Sequence, residues 1–309
     1  MCAEANRPDL FIAGCGYVGR FLARSYLAKS RQVAVLTRNA DMAAALEADG
    51  CSPVIRATLD EPGPIRAALP NGARCVACTV SSAGGGQAGY DRSYVQGQAS
   101  VRSWIDELAE GDRPLRYTYT GSTSVYPQKD GRWVVEDDAE DPAEATGAVA
   151  TLLRAEALAL EIGQRCREGA LVLRLAGIYG PGRSRLVDAV KAGRPLSGDP
   201  AGWLNLVHAQ DAAAALETAL QIDNLTDRQI FNVADGHPEQ RGTILAWIAD
   251  QLGLALPKAD EADGAGGDPA QRLTARGRRT NRRVSPEAFQ TATGWAPRYP
   301  SFREGLDLG

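Results

Sequence analysis

Residues 10–29 read LFIAGCGYVGRFLARSYLAK, where an apolar run meets three glycines at G-x-G-x-x-G spacing, Gly14, Gly16 and Gly19, and an amphipathic pattern follows. A strand that ends in such a turn and leads straight into a helix needs residues without a Cβ wherever the backbone turns tightly or comes close to another group. Gly14 allows the tight turn, Gly16 lets the backbone approach a pyrophosphate, and Gly19 lets the helix pack closely on the strand. The helix start adds free N–H groups and a positive dipole end for phosphate. Between a strand and a helix, the motif points to a bound dinucleotide, with Tyr17 and Val18 inside it.

Beyond this turn, short β-branched runs alternate with helical patterns. LFIAG, VAVLTR, CSPVIRA and ARCVACTV read as strands, with helices running to about Ser30 and over ADMAAALEADG. A helix from about Tyr90 to Glu110, a strand and exit loop in LRYTYTGSTSVYP, a helix over ATGAVATLLRAEALALEIGQR and a sixth strand in GALVLRLAGIYG continue the series. Such alternation predicts an α/β fold, a Rossmann-type doubly wound parallel sheet. After Gly180 the pattern loosens. A helix over AQDAAAALETAL, a strand at QIFNVAD and a helix over RGTILAWIADQLGL follow, then a polar loop in PKADEADGAGGDPAQ and a small C-terminal cap. The acidic VVEDDAEDPAEA reads as a solvated surface loop near the mouth of the site.

Composition narrows the function. A formal net charge of -4 and a pI near 5.4 provide no basic face for a phosphate backbone, which sets nucleic acid aside. No apolar stretch reaches the roughly 18 residues of a membrane span, and MCAEANRPDL lacks the form of a secretion signal, so the expected address is the cytoplasm. The six cysteines, Cys2, Cys15, Cys51, Cys75, Cys78 and Cys166, read as reduced thiols. Cys75 and Cys78 form a C-x-x-C on a buried strand, where positions three apart face opposite ways, and no metal is expected.

About 20 residues past the glycines, an NAD site would carry Asp or Glu against the ribose 2′-hydroxyl. This chain has LTRNAD instead. Arg38 can pair with a 2′-phosphate while Asp41 caps the next helix, so NADP is the expected cofactor, with NAD the alternative.

FIAGCGYVGR, YTYTGSTSVYP, LVLRLAGIYGPGR, NLVHAQDAAAAL, IFNVADGHP and TNRRVSPEAFQTATGWAPRYPSFREGL together resemble the extended short-chain dehydrogenase/reductase family of the NAD-dependent epimerase/dehydratase type. The resemblance runs in order over nearly the whole chain. It implies an NAD(P)-binding domain over residues 1–180, to which 206–235 return, and a smaller substrate-binding cap over 181–205 and 236–309. It adds Thr58, Leu59, Thr79, Val80, Ser81, Gly177 and Ile178 to the cofactor set, with TVSSAG beside the cofactor and AGIYGPG at its nicotinamide end. Ser122 becomes the catalytic hydroxyl, and Ser82, Arg183, Arg185 and Asn205 the substrate contacts. His208 and Asp211 match an H-x-x-D region that is mostly structural, with Asp211 a cap for the alanine-rich helix. A homodimer through the helices near 90–110 and 147–167 is also implied.

One family feature is missing. Tyr-x-x-x-Lys would fall on Ala148 and Leu152, and none of the nine tyrosines has lysine four residues later. The proton would then come from Tyr126, Tyr179 or the substrate. This leaves an atypical NADP-dependent reductase or epimerase of a small or sugar-like substrate, or an NADP-binding sensor without turnover. An assembly subunit with no ligand would not need all three glycines.

Overall fold

The computed structural model describes residues 7–82, 84–193, 199–222, 228–256 and 281–309. Cys2, the first six residues and the polar loop expected over 257–271 lie outside the described residues. The chain forms two compact units: Met1–Ser122, Asp141–Arg174 and Ala213–Phe231 in one, Thr123–Glu140, Leu175–Ala212 and Asn232–Gly309 in the other.

The first unit is built on a seven-stranded parallel sheet. Its strands are β1 (Leu10–Ala13), β2 (Val33–Thr37), β3 (Val54–Arg56), β4 (Cys75–Cys78), β5 (Arg116–Ser122), β6 (Ala170–Leu175) and β7 (Ile230–Val233). They lie in the order β3-β2-β1-β4-β5-β6-β7. β1, β2 and β4 are buried at every residue, as strands covered on both faces must be, which is why they read as unbroken apolar runs. The crossover reverses beside β1, and that is where an open α/β sheet has its crevice.

Helices α1 (Tyr17–Ala28), α2 (Ala40–Asp49), α3 (Pro62–Ala68), α4 (Gly97–Glu107) and α5 (Gly147–Gly163) cover the sheet. The sequence pattern assigns no helix to Pro62–Ala68; proline is nonetheless well suited to a helix's first turn, where its missing N–H has no partner to lose. The helix expected from about Tyr90 begins earlier, as a short α-helical stretch at Gly86–Tyr90, and winds wide as a π-helix over Asp91–Gln96 before α4. There the Thr151 hydroxyl of α5 donates to Asp91 at 2.7 Å.

The core of this unit is apolar, with Trp104 edge-on to Phe11 at 5.4 Å and its indole N–H donating to the Leu69 carbonyl. One ion pair is sealed within it. Arg174 of β6 donates to both carboxylate oxygens of Glu156 on α5, at 2.9 and 2.8 Å. A side chain at Gly121 would put its Cβ 2.9 Å from that carboxylate.

The second unit carries three two-stranded pairings: Gly177–Tyr179 with Leu206–His208, Trp203–Leu204 with Glu239–Gln240, and Trp133–Val134 with Arg283–Val284. Helices α6 (Arg185–Lys191), α7 (Ala209–Gln221, shared between the units), α8 (Arg241–Leu252), α9 (Glu287–Thr293) and α10 (Phe302–Gly305) complete the set among the described residues. Val187, Val190, Ile244, Ile248 and Phe302 form its core. Asp211 does not cap α7 as the sequence suggests; its carboxylate accepts from the backbone N–H groups of Arg298 and Tyr299, each at 2.9 Å, and ties down the C-terminal segment. Among the described residues no helix is long and apolar enough to cross a membrane.

The buried pair gives a direct test of the first unit. Removing the carboxylate alone, as Glu156→Met, strands a buried guanidinium and should cost about 3 to 5 kcal/mol in denaturant unfolding, whereas adding Arg174→Met should recover most of the loss. Additive losses in the double variant would contradict this account.

Candidate functional site

The glycine turn is fixed by close packing onto the end of β4. Gly14 has φ +75°, and a Cβ there would lie 2.8 Å from the Cα of Val80. The Thr79 hydroxyl donates to the Gly14 carbonyl at 3.1 Å. A Cβ on Gly19 would meet that same hydroxyl at 2.8 Å and the Cys15 sulfur at 3.1 Å. Gly16 is different: its nearest neighbour would be a carbonyl 4.0 Å away, so this backbone faces open space. α1 starts there with no side-chain cap and no acid in its first turn, which leaves its N–H groups for an anion.

A cavity of about 300 Å³ opens at this turn. Gly14, Gly16, Arg38, Thr58, Leu59, Val80 and Ser81, all expected from the sequence, line it together. Met42, Asp60 and Arg92 join them, and the sequence gives no local signal for these three. Arg92 arrives from the π-helix, 3.8 Å from Asp60. At the end of β2 the chain runs Thr37, Arg38, Asn39, and Asn39 rather than Asp41 caps α2, its side chain accepting from the Met42 N–H at 2.8 Å. Asn39 prevails because its side chain already reaches the N–H three residues on, the usual cap geometry.

Of the other expected cofactor residues in this unit, Thr79 packs beneath the turn, Val18 is buried on α1 and the Tyr17 ring stands edge-on to Phe21. The Ser82 N–H donates to the Tyr94 hydroxyl, whose pKa burial pushes up to about 12. Ser122 ends β5, half-buried. Ala148 and the buried Leu152, the two positions expected from the resemblance for the tyrosine and lysine, both lie on α5.

Gly177, Ile178 and Tyr179 lie in the second unit on the strand paired with Leu206–His208. Both tyrosines expected to donate a proton are engaged there. Tyr126 has no exposed surface, and its hydroxyl donates to the Asn232 side chain at 2.6 Å. The Tyr179 hydroxyl donates to the Ser301 carbonyl at 3.1 Å, and burial, reinforced by Asp235 and Asp211, holds its proton well above the usual tyrosine range. Arg183 and Arg185 are exposed. Asn205, expected at the substrate, spends its amide on the backbone: it donates to the Arg282 carbonyl at 2.9 Å and accepts from the Val284 N–H at 2.6 Å. His208 is buried against Tyr299 and Tyr179, with Nδ1 accepting from the Gln210 N–H and burial favouring the neutral ring.

Asp235 is a titratable group that the sequence pattern leaves unmarked. Burial raises its carboxyl to about 7, with Asp211 and Glu304 adding to the rise and the His237 N–H opposing it.

The family model of the NAD dependent epimerase/dehydratase family matches residues 10–234. The chain belongs to that family. A curated relative, the 3-diazoavenalumate denitrifying reductase of a Streptomyces species, is 33% identical over 146 residues, 44% of this chain and 45% of the relative. The match thus spans about half the length of that relative. Among solved structures, dTDP-glucose 4,6-dehydratase from Bacillus anthracis in complex with NAD has a TM-score of 0.75 at 15% identity, covering 96% of this chain and 93% of its own. A conserved protein of unknown function from Silicibacter pomeroyi has a TM-score of 0.73 at 24% identity, covering 96% of both chains. These likenesses establish the fold.

Asp235 leads to a pH prediction. The folded protein keeps this proton up to about pH 7, whereas an unfolded aspartate releases it near about pH 4. Stability therefore falls as pH rises between those values and stays reduced above them. Asp235→Asn should raise the melting temperature more at about pH 8 than at about pH 5. An equal effect at both would contradict the assignment.

Proposed function

We propose that this chain is an NADP(H)-dependent oxidoreductase that reduces a small acceptor without the tyrosine and lysine pair of its family. One observation carries the reading: the cavity at the glycine turn combines an open backbone at Gly16, an uncapped α1 and Arg38. The residues fit the cofactor. Gly16 and the first turn of α1 would hold the pyrophosphate, Arg38 the 2′-phosphate, and Thr58 and Leu59 the adenine side. When bound, the dinucleotide supplies a hydride.

The missing pair constrains the acceptor. A ketone needs a proton on oxygen as hydride reaches carbon, and Ala148 and Leu152 have none to give. Tyr126 and Tyr179 already donate to protein oxygens. A cationic acceptor completes its reduction without an acid from the protein, as when a diazonium carbon takes the hydride, its C–N bond breaks and N2 leaves. The Streptomyces relative is named as a denitrifying reductase of a diazo compound. Ser122 would orient the substrate's polar end. The same commitment of both tyrosines favours a second reading, in which NADP is held without turnover and its redox state is passed to a partner.

Calorimetric titration with NADP+ and NAD+ tests the binding step. The protein should prefer NADP+, and Arg38→Ala should erase the preference by weakening NADP+ about tenfold or more. Gly16→Ala should lose affinity for both nucleotides at an unchanged melting temperature, because its Cβ meets no protein atom closer than 4.0 Å. Equal affinity for the two nucleotides, or none for either, overturns the proposal. NADPH consumption with a panel of cationic and diazo acceptors then separates the reductase from the sensor.

A further inference from the structure

The second unit contains a cavity of about 500 Å³ that the roles above leave unused. Its wall carries Trp133, Trp203 and Arg283. Trp133 and Arg283 are direct partners across the short parallel pairing, and Trp203 comes from the neighbouring antiparallel one. The Arg283 guanidinium carbon lies 5.3 Å from the Trp133 ring centre and 5.0 Å from that of Trp203, so both indoles are within cation–π range of it. Its Nε–H donates to the Gly131 carbonyl at 2.8 Å, which fixes the plane.

The surroundings hold this arrangement in place. A Cβ on Gly131, where φ is +76°, would lie 3.2 Å from Trp203 Nε1, so only glycine seats that indole comfortably. Asn281 secures the backbone of both partners: its side-chain oxygen accepts from the backbone N–H of Trp203 at 3.0 Å and its carbonyl from the backbone N–H of Gly131 at 2.8 Å.

Charge and exposure indicate what the cavity takes. Its two carboxylates are engaged, Glu239 with Arg303 at 3.7 Å and Glu304 with the N–H and hydroxyl of Ser301 at 3.0 and 2.6 Å. Among the described residues no carboxylate pairs with Arg283, whose outer N–H groups form a fork suited to an anion. Trp133 is 46% exposed, an indole whose surface water covers poorly. One fork suits one carboxylate, held by two parallel hydrogen bonds. An exposed indole suits an aromatic ring.

We propose that this cavity binds a planar aromatic carboxylate, its ring against Trp133 and its carboxylate on the Arg283 fork. That such a carboxylate binds stands on the cavity alone; its role as the substrate class rests on the reductase reading.

The test is calorimetric titration of the full chain with cinnamate, with the neutral isostere cinnamamide, and with UDP as a nucleotide probe. Cinnamate should bind, and cinnamamide should bind about tenfold more weakly or worse. Arg283→Lys keeps the charge and loses the fork, and should weaken cinnamate about tenfold; Trp133→Ala should do likewise while leaving cinnamamide's deficit in place. No cinnamate binding, equal binding of cinnamate and cinnamamide, or UDP bound in preference to cinnamate overturns the inference, and the isostere comparison needs no variant to fold. NADP+ titrated separately keeps the two proposals apart. NADP+ binding without cinnamate binding defeats only this one, and cinnamate binding without NADP+ binding defeats only the reductase.

Discussion

Much of the first unit depends on how closely the turn after β1 can approach the end of β4. Gly14 lies against the backbone of Val80, the Thr79 hydroxyl reaches back to the Gly14 carbonyl, and Gly19 packs over that same hydroxyl. Two of the three glycines are thus consumed by packing within the protein. Only Gly16 faces open space, and it does so where α1 leaves its first N–H groups uncapped. The motif therefore combines two constraints. Interior density sets two positions, and a ligand's approach sets the third.

In the second unit, polar groups that look chemical in the sequence are occupied with structure. Tyr126 holds Asn232, Tyr179 holds Ser301, Asn205 bridges Arg282 and Val284, and Asp211 clamps Arg298 and Tyr299. Each bond satisfies a buried donor or acceptor that would otherwise cost free energy on leaving water. A hydroxyl so engaged is a poor proton donor, since transfer would first break the bond that orders its neighbours. Asp235 differs in kind. Its carboxyl titrates near neutrality because burial disfavours its charge.

The sheet was legible in the sequence because β1, β2 and β4 are buried on both faces, and full burial writes an unbroken apolar run. The cofactor cavity was legible where its residues sit at strand ends: Gly14, Arg38, Thr58 and Val80 all follow strands of one crevice. Arg92 and Met42 were not, since they come from helices that only the folded chain brings to the cavity. The roles of Asn205 and Asp211 were hidden for the same reason, as their partners lie about 80 residues away. Trp133 and Arg283 meet through a two-residue pairing too short to leave a period.

A chain of net charge -4 cannot draw anions by its overall field. Recognition of a phosphate or carboxylate must then come from individual donors held ready before the ligand arrives. α1 does this with N–H groups fixed by helix geometry, and the second unit with a guanidinium whose plane is set by the Gly131 carbonyl and two indoles. In both cases the backbone around a glycine supplies the rigidity. Groups already ordered lose little freedom on binding, so more of each hydrogen bond's energy appears as affinity. An acidic protein can thus select anionic ligands, provided each is matched to a short, rigid set of donors rather than to a basic surface.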